Sequence, residues 1–418
     1  MNKKFYCLWM TISSSTLGLS LYTMTITVII LSITDSAMLA SIVMLFHVFG
    51  KLCSSFFFTL LSEKMKLNSI LSRALLIQLA LYLILTLAVM GGQNFSIGLL
   101  LVIIFLLVGC IGFVDGFISP SRKALIPQIV QQEKIAKANS YVSISDQSLA
   151  LLGWSAAPIA LNYYSPHFVL GVSMLLGLLA LVSSCLIHAS TNQSISASPR
   201  KSTWKAMGAG WGILFSKQNH FRTLTLMDIL EGIASGIWIG GITLVFVTEI
   251  LQEGKQWWGY INASYYAGSI MGGIMVALLA NKLQKHLTKS IVVGSFAVSI
   301  LVLCYALNTT AWLALVLVLI MGPFYQLRDI SQNTYIQTAA DNDTLSKLYA
   351  AKDNIYYIVF SLSIFIMGFI SDYVGVEYVY YLAGALYLMS SVLAVFSFSS
   401  KRTNRQAGIT ANPSGPTA

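Results

Sequence analysis

Charge is what this sequence has least of. Asp, Glu, Lys and Arg make up 10% of its 418 residues, where a soluble globular domain carries roughly a quarter. Hydrophobic residues reach 56% and the mean hydropathy is +0.75, which excludes a water-soluble fold. The alternating ten-residue strands of a membrane barrel are missing as well. Cysteine is sparse: Cys7, Cys53, Cys110, Cys185 and Cys304 sit singly in apolar segments, with neither metal-ligand spacing nor a disulfide framework. His47, His167, His188, His220 and His286 are equally dispersed, and no Ser/His/Asp grouping accompanies them. An enzyme and a bound metal are therefore not expected. No Gly-rich loop ending in Lys-Ser/Thr is present to hold nucleotide phosphates, so no cofactor is expected and the proton gradient is the expected energy source.

What fills the chain is a series of apolar runs of the length a helix needs to cross roughly 30 Å of hydrocarbon. They lie at about 6–33, 37–62, 69–92, 96–121, 139–163, 166–188, 221–249, 257–281, 289–308, 311–336, 347–371 and 376–399. The first run, preceded by Lys3 and Lys4, is too long for the core of a cleavable signal peptide and reads as an uncleaved helix. With both termini in the cytoplasm, every Lys and Arg except Lys255, Lys51 and Arg328 falls at a cytoplasmic terminus, loop or helix end. That topology accounts for the net charge of +10, so nucleic acid is not an expected partner. The expected partners are the lipid bilayer and a small-molecule substrate, with the chain acting as a monomer. The fold class is all-α integral membrane with twelve transmembrane helices. Residues 1–189 are expected to form one six-helix bundle and 221–400 a second, joined by the polar, basic cytoplasmic loop 190–220 and followed by a disordered cytoplasmic tail, 401–418.

The two sets of six echo one another. At an offset of 218, Gly18 pairs with Gly236, Gly50 with Gly268, and Glu63-Lys64 with Asn281-Lys282. At 210, ALIPQIVQQEKIAKAN (124–139) lies over TYIQTAADNDTLSKLY (334–349). Two parallel six-helix repeats resemble the major facilitator superfamily of transporters, and the resemblance covers about 6–400. TLLSEKMKLN stands where that family carries Gly-x-x-x-Asp-Arg: Thr59 replaces the glycine, Glu63 the aspartate and Lys64 the arginine. In the fifth run, Gly153, Ala157, Pro158 and Ala160 resemble the Gly-x-x-x-Gly-Pro pattern of exporting antiporters, and SRKALIP…AKAN resembles a segment of macrolide-efflux and siderophore exporters. The family's arginine in the fourth helix is absent here, where only Asp115 is ionisable. The resemblance implies a multi-pass protein of a bacterial plasma membrane that exports small molecules by alternating access. Glu63, Lys64, Gly153 and Pro158 would act at its gate.

Ionisable groups inside membrane helices typically cost about 2.5–3.5 kcal/mol each on insertion scales, so their positions are informative. They are Lys51, Asp115, Asp146, Asp228, Glu231, Arg328, Asp329 and Asp353. The interiors of the third, sixth, ninth and twelfth runs carry none. In the tenth, Tyr325, Arg328, Asp329, Gln332 and Tyr335 share one helical face. Thr16, Ser20, Thr23 and Thr27 form a hydroxyl stripe in the first run, where helix packing and substrate contact are both open readings. The eighth run offers Asn262, Tyr265 and Tyr266, and the eleventh Tyr357. Aromatic rings among polar groups suit an organic cargo, so Lys51, Arg328, Tyr325, Gln332, Asn262, Tyr265, Tyr266, Ser20 and Tyr357 are the candidate substrate contacts.

Asp228 and Glu231, one turn apart, are expected to resist double ionisation, and with Asp329 and Asp353 they are the candidate proton carriers. Asp115, Asp146, Asp228 and Asp353, all about seven residues from a cytoplasmic end, are expected to form a salt-bridged gate with Arg122, Lys123 and Lys352 rather than to bind cargo, which leaves two readings open for Asp228 and Asp353. Lys51, with no evident partner in the sequence, and Arg328 favour an anionic cargo. The expected function is therefore proton-coupled export, leaning to a carboxylate siderophore, as in the staphyloferrin exporters the chain resembles. Efflux of cationic drugs is the alternative, ahead of nutrient import or a non-transporting sensor.

Overall fold

A computed structural model describes residues 1–34, 36–91, 95–187, 210–216, 220–238, 240–254 and 256–409. Most of the central loop 190–220 and the end of the tail, 410–418, lie outside the described residues. The long helices among the described residues are α1 (Lys3–Thr34), α2 (Ala37–Lys64), α3 (Leu67–Met90), α4 (Ile97–Ile129), α5 (Ile135–Tyr163), α6 (Pro166–Cys185), the broken α7 (Phe221–Ala234 and Gly240–Glu249), α8 (Gln256–Leu283), α9 (Leu287–Ala306), α10 (Ala311–Ala339), α11 (Asn342–Tyr373) and α12 (Val376–Ile409). Eight stretches are long and apolar enough to cross a membrane, or ten with two bent pairs, and one of them, Gln256–Ala306, holds both α8 and α9.

Short polar residues punctuate the apolar runs. Ser36, Ser96 and Ser165 accept from the backbone N–H three residues on and so start α2, α4 and α6. Gly375, with φ of 126°, takes a conformation unfavourable for other residues and separates α11 from α12.

Three boundaries differ from the sequence expectation. α4 does not stop near residue 121 but runs through Pro120 and Pro127 to Ile129, carrying Arg122 and Lys123 on a rigid element. α12 continues to Ile409, into the stretch from Lys401 expected to be disordered. The seventh run is broken rather than continuous: α7 comprises Phe221–Ala234, a 3-10 turn at Ser235–Trp238, and Gly240–Glu249, bent by 54°. A break at membrane depth frees backbone carbonyls that need partners. Here the Ile237 carbonyl accepts from Thr243 Oγ1 at 2.9 Å and Tyr380 Oη at 3.1 Å.

The helices pack into two compact units. Unit 1 is Met1–Ile213 with Gly273–Asn281 and Ile336–Ile358; unit 2 is Leu214–Gly272, Lys282–Tyr335 and Val359–Ala418. In unit 1, α2 packs on α4, α1 on α5 and α6, and α3 on α4 and α6. In unit 2, α9 and α7 pack on α12 around Phe246, Tyr305 and Tyr380.

In each unit a glycine-lined helix crossing brings backbone against backbone. On α2 and α4, any Cβ at Gly50 would strike Gly109 and Gly112, and one at Gly112 would strike His47. On α8 and α10, a Cβ at Gly322 would strike Gly268. The crossings match at the offsets read from sequence, with Gly50 over Gly268 at 218 and Gly112 over Gly322 at 210. One layer along, Phe46 stacks on Phe105 at 5.3 Å, and at their equivalents Ser264 bonds the Leu315 carbonyl at 2.8 Å. On the other side, Gly116 faces Ser54, while in the second pair Gly272 faces Gln326. The repeat is thus preserved in contacts as well as in spacing.

Overpacking a close-packed position typically costs about 1–3 kcal/mol. Gly112→Val and Gly322→Val are expected to lower the thermal unfolding midpoint of the purified protein by several degrees. Gly98→Ala and Gly171→Ala, whose surroundings are open, should leave it unchanged. Equal midpoints for all four variants would show that the crossings are not close.

Candidate functional site

The crossing of α2 with α4 assembles the first cluster. His47, Gly50, Lys51 and Ser54 share a face of α2, and Gly112, Asp115 and Gly116 meet it from α4. With no side chains between the two backbones, Lys51 Nζ pairs directly with Asp115 Oδ2, and His47 Nε2 lies 3.3 Å from the same oxygen. His47 and Asp115 are buried, and Lys51 is nearly so at 17% side-chain exposure. Lys51 also lies 5.6 Å over the Tyr357 ring of α11. Two expectations are corrected here. Lys51 does have a structural partner, and that partner is Asp115, which does not pair with Arg122, Lys123 or Lys352. Because partners 64 positions apart in the chain share no local signal, the sequence alone did not connect them.

Farther along α4, Arg122 pairs with Asp146 of α5 at 3.5 Å, and Thr16 of α1 bonds both of them, at 3.4 and 2.9 Å. Lys123 and Ser119 each donate to Asp353 of α11 at 2.8 Å. Glu63 pairs with Lys347, and Lys64 is exposed at the end of α2. Asn139 donates to Gln337 at 2.7 Å, and Gln337 donates to the Lys123 carbonyl at 3.0 Å. Within unit 1, then, the ends of α2, α4 and α5 are tied to the end of α10 and the start of α11. Lys347, Asn139 and Gln337 were not found by sequence reasoning, because single polar residues near helix ends are common.

Unit 2 holds the second cluster. Arg328 of α10 places one guanidinium nitrogen 2.9 Å from Asp228 and 3.0 Å from Glu231, both on α7. Gln332, one turn on, donates from Nε2 to both Asp228 oxygens at 3.0 and 2.9 Å. Ser390 of α12 donates to Glu231 at 2.6 Å. Gly294 of α9 leaves room for the Arg328 Cβ. The expectation that Asp228 and Glu231 face each other as uncompensated like charges is therefore corrected, since Arg328 sits between them. Asp329 points elsewhere and accepts from Asn333 at 3.2 Å. Counting Asp228, Glu231 and Asp329 against Arg328, the cluster has more carboxylate than base. Ser390 lies mid-helix in a run whose interior carries no Asp, Glu, Lys or Arg, so nothing in the sequence marked it.

The aromatic candidates distribute around these clusters unevenly. Tyr325, half-buried, lies within electrostatic reach of Arg328, Asp329, Tyr265 and Tyr387. Tyr265 stacks near Trp238 at 6.5 Å and meets Tyr266 edge-on at 5.5 Å. Asn262 spends its amide on the Trp258 carbonyl of its own helix at 2.9 Å. Ser20 bonds the Thr16 carbonyl at 2.9 Å, and its Cβ fills the space left by Gly153 of α5. Thr27 likewise bonds its own helix. Only Thr16 of the hydroxyl stripe reaches a charged partner. Pro158 lies within α5, which continues past it to Tyr163.

Removing one partner of a buried ion pair costs about 3–5 kcal/mol, because the other charge is stranded. Arg328→Met is expected to lower the thermal midpoint more than the triple variant Arg328→Met/Asp228→Asn/Glu231→Gln. Lys51→Met should likewise be worse than Lys51→Met/Asp115→Asn. Combined variants no more stable than the single ones would show that these pairs do not form.

Known proteins agree with this architecture. The family model for the Major Facilitator Superfamily matches residues 8–363. The uncharacterized MFS-type transporter YfmI of Bacillus subtilis (strain 168) is 34% identical over 401 residues, covering 96% of this chain and 97% of that protein. YjbB of the same organism, also an uncharacterized MFS-type transporter, is 29% identical over 94% of this chain and 95% of its own length. Among solved structures, a bacterial homologue of the iron transporter ferroportin in an outward-facing state superposes with a TM-score of 0.78, covering 96% of this chain and 100% of that one. At 13% identity, that likeness concerns the fold alone. The chain, a multi-pass membrane transporter of small molecules and not an enzyme, belongs to the major facilitator superfamily.

Proposed function

We propose that this transporter is a proton-driven exporter of a small amphipathic organic cation. The observation that carries this reading is the second cluster, in which one guanidinium serves the buried Glu231 and the half-buried Asp228 beside a third carboxylate, with tyrosines alongside. An anionic cargo would need free bases. Lys51 is engaged by Asp115, and Arg328 by Asp228 and Glu231, so the argument for a carboxylate siderophore weakens. A cation placed against Asp228 would take over the role of the Arg328 contact there, leaving Arg328 to Glu231. A proton on Asp228 would do the same. Cargo and proton would then compete for one carboxylate, which is the requirement for exchange. Gln332 donates to both Asp228 oxygens and so fixes the carboxylate in place, and Tyr325 and Tyr265 supply faces for an aromatic cation.

Export is supported by Gly153 and Pro158 in α5, and the distribution of basic residues favours both termini in the cytoplasm. The ties of Glu63 to Lys347, Lys123 to Asp353 and Asn139 to Gln337 would then lie at the cytoplasmic ends of their helices, where they must part for cargo to enter.

Proteoliposomes loaded with a lipophilic cationic dye and given an imposed pH gradient test the reading. The expected result is gradient-dependent dye movement, reduced at least tenfold by Asp228→Asn, with a citrate-type siderophore left behind. Siderophore transport lost in Lys51→Ala, with no dye transport, would overturn it in favour of an anion exporter.

A further inference from the structure

The repeat supplies an internal control for the charged cluster of α2 and α4. At offsets of 218 and 210, His47, Lys51 and Asp115 correspond to Tyr265, Ser269 and Tyr325. Those residues stand at the same kind of glycine crossing in unit 2, and Tyr265 and Tyr325 are near neighbours there. The crossing is thus built without charge in one repeat and with charge in the other. Packing does not call for the ions, which are costly at membrane depth.

Lys51 and Asp115 already balance one another, so the third member needs its own explanation. His47 is 6% exposed and directs Nε2 to the oxygen that Lys51 also holds. Facing an ionised carboxylate, Nε2 carries the ring hydrogen, which leaves Nδ1 as the basic atom. We propose that His47 is a proton-binding site of unit 1, taking up a proton at Nδ1 and thereby loosening the hold of Lys51 on Asp115. Protonation puts two cations on one carboxylate oxygen, and Lys51 is the one with another contact to turn to, the Tyr357 ring.

The charged groups that meet the ring are Asp115 on α4 and Lys51 on its own helix; Arg122 on α4 and Tyr82 on α3 lie within electrostatic reach of Asp115, and Tyr357 on α11 lies against Lys51. Through Tyr357 the switch acts on α11, the helix whose Asp353 is held by Lys123 and Ser119. The site does not depend on the charge of the cargo or on the direction of transport.

His47→Gln is the informative variant, because its amide keeps a donor toward Asp115 but takes up no proton. In the full-length protein with 15N-labelled histidine rings, one ring is expected to titrate between about pH 5 and 8, and its signal should disappear in His47→Gln. Failure of the variant to remove any titrating ring would overturn the assignment. In proteoliposomes, His47→Gln is expected to transport the cationic dye at a rate that varies less with pH over that interval than the wild-type rate does. A pH profile identical to wild type would overturn the coupling. If no dye moves in either protein, the proposed cargo fails while the ring titration still decides the proton site.

Discussion

Two helix crossings without intervening side chains are the constraint on which the rest depends. In lipid, helices gain little from burying apolar surface against one another, so association relies on close van der Waals contact and interhelical hydrogen bonds. Gly50 and Gly112 bring α2 onto α4, and Gly268 and Gly322 bring α8 onto α10. Once the backbones touch, the residues one position or one turn away have no freedom to avoid each other. In the first pair these are His47, Lys51 and Asp115, and in the second Tyr265, Ser269 and Tyr325. Gly294 plays a related part for Arg328, letting α9 approach where α10 carries its guanidinium.

The charges on this scaffold are arranged differently in the two units. In unit 1 four carboxylates are each matched with a base: Asp115 with Lys51, Asp146 with Arg122, Asp353 with Lys123, and Glu63 with Lys347. In unit 2 a single arginine is shared by Asp228 and Glu231, with Asp329 nearby. Buried ion pairs seldom improve stability over well-packed apolar residues. Their concentration here is therefore a mark of function. Balanced pairs suit contacts that form and part as a unit, whereas in unit 2 two carboxylates share one arginine.

The helices themselves are adapted to this work. α7 breaks at Ser235–Trp238 and still satisfies the Ile237 carbonyl twice, so its bend is a built feature. Just beyond the acidic pair, Gly236 faces Ser363 of α11, the reverse of Gly153 facing Ser20 of α1 in the other repeat. Small residues are thus kept at the contacts of the first helix of each repeat with the fifth, although which partner supplies the glycine has changed.

By itself the sequence determined what is local. Hydropathy located the apolar runs, caps and glycines set many of their ends, and periodicity put Tyr325, Arg328, Asp329 and Gln332 on one stripe of α10. The offsets of 218 and 210 even matched the glycine crossings, because a repeat keeps its contacts where it keeps its spacing. Only tertiary structure decided the partners: Asp115 for Lys51, Asp228 and Glu231 for Arg328, Ser390 for Glu231, and Asp353 for Lys123 and Ser119. A run of apolar residues fixes that a helix forms and which residues share a face. The direction each face points, and the charge it meets, follow from how the helices rotate and approach one another when they pack.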